Sequence, residues 1–88
     1  MKILGYKLNP EYVDKASGEV KQNYVLYVED LTSNGYGIVT KSISADRKII
    51  DTKKIDLKDL VDEKKEIFIS TSTYKYQEYM TDIFVPVS

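Results

Sequence analysis

Asp56-Leu57-Lys58-Asp59-Leu60-Val61-Asp62-Glu63 is the one stretch of this 88-residue chain that does not read with a period of two. Leu57, Leu60 and Val61 stand at i, i+3 and i+4, which is one face of a helix. Asp56 offers an N-cap oxygen, and Asp59 puts negative charge in the first turn. The stretch predicts one to two helical turns over 56–63. On either side the chain has strand composition. Leu4-Gly5-Tyr6-Lys7-Leu8, Tyr24-Val25-Leu26-Tyr27-Val28, Ile38-Val39-Thr40-Lys41-Ser42-Ile43, Ile67-Phe68-Ile69-Ser70-Thr71-Ser72-Thr73 and Ile83-Phe84-Val85-Pro86-Val87 are rich in Val, Ile, Thr, Tyr and Phe. They predict strands over 2–8 (running to 14 with a break at Pro10), 20–29, 36–45, 65–74 and 79–87. Ser17-Gly18-Glu19 and Ser33-Asn34-Gly35 carry the turn chemistry between the first three strands. Pro86 falls near the chain end, where a strand tolerates a missing donor.

Five strands with a short helix between the third and fourth predict an all-β fold, a small OB-like barrel over residues 1–88 as one domain. Closure also removes the sheet edges that a chain this small would otherwise expose. An SH3-like barrel or an open five-stranded meander fits the same pattern.

Composition excludes more than it assigns. There is no cysteine and no histidine. Thiolate and imidazole metal sites, cysteine nucleophiles and Ser-His-Asp chemistry are therefore ruled out. The adjacent carboxylates Glu29-Asp30 and Asp62-Glu63 do not share a face as strand residues, and no glycine-rich phosphate loop is present. The chain reads as non-catalytic, with no cofactor. No apolar run reaches the ~20 residues of a membrane helix, and Met1–Lys7 is too short in apolar residues for a signal peptide. The expectation is a cytoplasmic protein with no membrane partner.

The formal net charge of −1 conceals an uneven layout. Residues 41–55 hold Lys41, Arg47, Lys48, Lys53 and Lys54 against Asp46 and Asp51, a local +3, whereas 56–66 sum to −2. The isoelectric point of about 5.4 argues against a duplex binder that relies on many phosphate contacts. Eight tyrosines point elsewhere. Base stacking contributes about 1–3 kcal/mol per base and is independent of net charge. Tyr6 falls in line with Leu4 and Leu8 and reads as core. Tyr24 and Tyr27, at odd separation, point to opposite faces of their strand. In Thr73-Tyr74-Lys75-Tyr76-Gln77-Glu78-Tyr79, Tyr74 and Tyr76 share a face if the strand continues. Such exposed rings suit either bases or a protein partner.

The chain resembles the small single-stranded-DNA-binding (helix-destabilising) proteins of filamentous phages. The likeness runs in order through the first strand Met1–Leu8 and the polar Ser-Gly wing Lys15-Ala16-Ser17-Gly18-Glu19-Val20-Lys21-Gln22. It continues through Tyr27-Val28-Glu29-Asp30-Leu31, Gly37-Ile38-Val39-Thr40-Lys41-Ser42-Ile43 and the last hairpin, Ile67–Lys75 with Asp82–Val87. The resemblance implies an OB-type barrel forming a homodimer that coats single-stranded DNA during phage or mobile-element replication. It implies backbone contacts from Lys15, Lys21 and Lys41, a stacking platform at Tyr24, and a late hairpin carrying Tyr74 and Tyr76. The basic cluster adds Arg47 and Lys48 as phosphate contacts. The acidic isoelectric point and the single arginine leave open a second expectation, a small interaction module that inhibits a host protein.

Overall fold

The computed structural model describes residues 1–31 and 36–86. The chain order is β1 (Lys2–Leu8), β2 (Tyr12–Val13), β3 (Val20–Lys21), β4 (Asn23–Leu31), β5 (Ile38–Asp46), α1 (Arg47–Thr52), α2 (Leu57–Asp62), β6 (Phe68–Tyr74) and β7 (Gln77–Phe84). The fold is mostly β. Five strands form one mixed sheet in the order β1-β4-β5-β7-β6, and β2 pairs with β3 as a separate two-stranded wing. All neighbours are antiparallel except β5 and β7, which run parallel and meet at Ser44 and Tyr79. The segment before β6 reaches back to the first strand, where the Ile67 N–H donates to the Met1 carbonyl at 2.8 Å. The Asn34-Gly35 turn signal and Val87 lie outside the described residues.

Alternation writes the core directly. Ile3, Leu26, Val28, Ile43, Ala45, Met80 and Ile83 come from one face of the sheet and are buried together with Ile67. Complete burial of each such aliphatic side chain contributes about 1.5–3 kcal/mol. Ile50 of α1 and Leu57 and Leu60 of α2 close over the same face. The face carrying these residues is the inner face; the opposite one is the outer face.

Two short helices, not one, separate β5 from β6. The expected helix is seen at Leu57–Asp62, with the Asp56 carboxylate accepting from the Asp59 N–H at 3.2 Å. α1 was not expected. Its N-cap is Asp46, which accepts from the Lys48 N–H at 2.9 Å. Its two apolar residues, Ile49 and Ile50, are adjacent, so α1 displays no helical period. The expected strand over 20–29 is interrupted at Gln22. That residue's carbonyl accepts from the Arg47 N–H at 2.9 Å, and its amide donates to the Asn9 carbonyl, also at 2.9 Å. The break lets Val20 and Lys21 leave the main sheet and pair with Val13 and Tyr12.

The reading of Tyr6 also changes. A register shift between Ile3 and Gly5 removes Leu4 from the face that it would otherwise share with Tyr6 and Leu8. Tyr6 stands opposite Leu26 on the inner side but at the rim, 40% exposed, with its ring edge-on to Tyr24 at 6.1 Å.

Candidate nucleic-acid interface

Residues directly opposite in a sheet share a face, so the register assembles the outer face row by row. One row reads Lys7, Val25, Ser44, Tyr79 and Ser72 across β1, β4, β5, β7 and β6. The next row begins Gly5, Tyr27 and Ser42. Two residues back from the Ser44–Tyr79 bridge it continues to Gln77 and its partner Tyr74. A third begins Lys2, Glu29 and Thr40. Three rings stand on this surface, Tyr27 at 45%, Tyr74 at 62% and Tyr79 at 39% exposure. Between them lie small polar side chains. Lys2 and Lys7 have no carboxylate partner among the described residues. Glu29 is the one carboxylate in the three rows. Tyr27 and Tyr74 are separated by three strand spacings, about 14 Å, so each would take its own base.

The β6–β7 connection is a two-residue loop. Lys75 and Tyr76 both have positive φ, +50° and +66°. Such loops favour Asn-Gly because L side chains are disfavoured there. Tyr74 and Tyr76 therefore do not continue one strand face. Tyr76 stands fully exposed at the tip, while Lys75 Nζ lies 5.3 Å from the Tyr74 ring centroid. That separation fits a cation–π contact.

The wing is organised by Asp14. Its carboxylate accepts from the Ala16 N–H at 3.0 Å and the Ser17 hydroxyl at 3.3 Å, and pairs with Lys21 Nζ at 3.0 Å. These donors, the Ala16 N–H foremost, hold the Asp14 carboxyl below its ordinary value, and the same carboxylate raises the Lys21 pKa. Gly18 turns the tip at φ +73°, as its sequence context predicts. Lys15 is exposed beside it without an ion-pair partner among the described residues.

The predicted site residues divide accordingly. Lys21, Arg47 and Lys48 do meet, in a cleft between the wing and the start of α1, but Glu11, Glu19, Asp46 and Asp51 line it with them. Arg47 is held by Asp51 at 3.3 Å and by the Gln22 side chain. Lys41 belongs to the inner face opposite Val28, half-buried, and pairs with Glu78 at 3.2 Å. Tyr24 is likewise inward: it stands opposite Ala45 and packs against the core. Tyr24, the platform that the resemblance implies, therefore faces inward, and Tyr27 is the outward ring of the pair. Tyr74 and Tyr76 are exposed as expected.

The structure also brings to this surface or its hairpin Lys2, Lys7, Tyr27, Lys75 and Tyr79, which the sequence reading did not place in the site. The odd separation of Tyr24 and Tyr27 was the available signal, since Leu26 and Val28 flank Tyr27 and leave it the outward parity. Among the described residues no three acidic side chains approach closely enough to hold a metal ion, and no helix is long and apolar enough to cross a membrane. Comparison with protein-family models, with curated proteins and with solved structures finds no match for this chain.

Proposed function

We propose that this chain binds single-stranded nucleic acid, foremost DNA, across the outer face of β4, β5, β7 and β6, without catalysis. Three exposed tyrosine rings on one small-residue, lysine-bearing sheet face carry the reading. The strand order, with β5 and β7 parallel, supports an OB-type barrel. In that fold the second and third strands and the loops joining strands one to two and four to five take oligonucleotides. Here those strands are β4 and β5, and the loops are the wing and the Lys75–Tyr76 turn. The setting implied by the resemblance, a homodimer coating phage or mobile-element single strands, belongs to the same proposal.

The charge layout makes the binding mostly non-electrostatic. Lys21, Arg47 and Lys41 are already paired with carboxylates. On the tyrosine face and its hairpin, Lys2, Lys7 and Lys75 remain to meet phosphates. With about three phosphates engaged, log K should fall against log salt with a slope of about −2. Titration of a dT oligonucleotide, followed by quenching of tyrosine fluorescence between 50 and 300 mM salt, tests this. Micromolar binding with that shallow slope supports the proposal, and absence of binding at ~50 mM salt refutes it.

A second reading, a module that docks a protein, is favoured by the mixed-charge cleft around Arg47, where four carboxylates face three cations. It predicts a specific pull-down that survives nuclease treatment. A nuclease-sensitive one counts against it.

A further inference from the structure

Gly5 sits inside β1 beside the register shift between Ile3 and Gly5, and a strand glycine marks either such an irregularity or a place where another molecule comes close. Its φ is not positive. A Cβ built there meets no atom within 4 Å. Neither a positive φ nor a close neighbour requires glycine there. The open space beside Gly5 is what such an approach would use.

What adjoins Gly5 is informative. Its cross-strand partner on the outer face is Tyr27, and Tyr27 is in turn opposite Ser42. The Tyr27 ring is thus flanked on both neighbouring strands by the smallest residues of its row. Lys7 lies on the same face of β1, and Lys2 beyond the register shift, opposite Glu29. Both lysines lack carboxylate partners among the described residues.

We infer that Gly5 and Tyr27 form a one-base subsite, in which a nucleobase stacks on the Tyr27 ring over the bare backbone at Gly5, with its flanking phosphates toward Lys2 and Lys7. The inference rests on the proposed single-strand binding and names where one base goes. The occupant is a planar base carrying anionic flanks, because the surface offers an open ring with unpaired ammonium groups to one side. An apolar peptide would gain nothing from those lysines.

Substitution of Gly5 separates the possibilities. Gly5→Thr adds a β-branched side chain suited to a strand and fills the space beside the ring. The expected result is a melting temperature equal to or above that of the unaltered protein, with dT-oligonucleotide affinity lowered about tenfold. Tyr27→Ala should cause a comparable loss, and the double variant should lose no more than Tyr27→Ala alone, since both changes remove one stacked base. Gly5→Thr binding as tightly as the unaltered protein would overturn the subsite while leaving the proposed function standing. No binding by the unaltered protein would overturn both. Gly5→Ala provides the control for folding. A drop in its melting temperature would show that the register shift needs glycine, and would overturn the inference in favour of a structural role.

Discussion

Replacing Tyr27 and Tyr74 together with alanine is expected to lower affinity for a dT oligonucleotide by about two orders of magnitude or more. In the proposed mode each ring would stack one base, and each stack contributes about 1–3 kcal/mol. The two rings stand about three strand spacings apart, so their losses should be close to additive. Both are substantially exposed, and the fold should change little in stability. The companion double variant, Tyr6→Ala with Tyr24→Ala, should behave the opposite way. Those rings meet edge-on at 6.1 Å on the inner side of the sheet, and Tyr24 packs on the core. Their removal should cost stability and leave oligonucleotide binding nearly intact. Equilibrium titrations and thermal melts of the two variants check the contrast. A reversed pattern would place the binding surface on the other face.

The second large effect concerns the Lys75–Tyr76 turn. Two L residues held at φ +50° and +66° cost about 1–2 kcal/mol each relative to residues suited to that region. Lys75→Asn with Tyr76→Gly installs the pair that such a loop favours. Stability should rise by about 2–4 kcal/mol, and for a domain of this size each kcal/mol raises Tm by roughly 4–8 °C. Affinity should fall at the same time, because the change removes a fully exposed ring and one unpaired lysine. Gain of stability with loss of binding is the trade-off expected where strain is retained at a functional site. A variant that is both more stable and equally tight would show that the tip is ornamental to binding.

Much of the fold could be read from sequence, and the reasons for the exceptions are local. Strands with alternating burial announced themselves, as in β4, where Leu26 and Val28 are buried and Tyr27 is not. α2 was readable because Asp56 caps it and Leu57 and Leu60 share its buried side. α1 has the same length but no period, and its cap, Asp46, closes β5 as well. Register shifts at Ile3/Gly5 and Ser70/Thr71 reverse side-chain parity in mid-strand, and no composition signals them.

The candidate site was less readable for an electrostatic reason. Three of the basic residues expected to meet phosphate are paired with carboxylates. Lys41 finds Glu78 across 37 residues, whereas Lys21 and Arg47 find Asp14 and Asp51 nearby in the chain. A run of positive charge in the chain therefore does not become a positive patch on the surface. Lys41 could have been placed from its spacing alone, since it lies two residues before the buried Ile43 and four before Ala45. Of the lysines without a carboxylate partner among the described residues, Lys2 and Lys7 join the face of Tyr27 only through cross-strand pairing, whereas Lys75 adjoins Tyr74 and Tyr76 in the chain itself.

The central claim is that single strands lie on the tyrosine face of the sheet. Its most direct test is nuclear magnetic resonance of the protein with labelled tyrosine rings, titrated with a dT oligonucleotide. The account predicts that the ring signals of Tyr27, Tyr74 and Tyr79 shift progressively with added oligonucleotide while those of Tyr6 and Tyr24 stay in place. Shifts confined to Tyr6 and Tyr24, or no shift at any ring at saturating oligonucleotide, would contradict it.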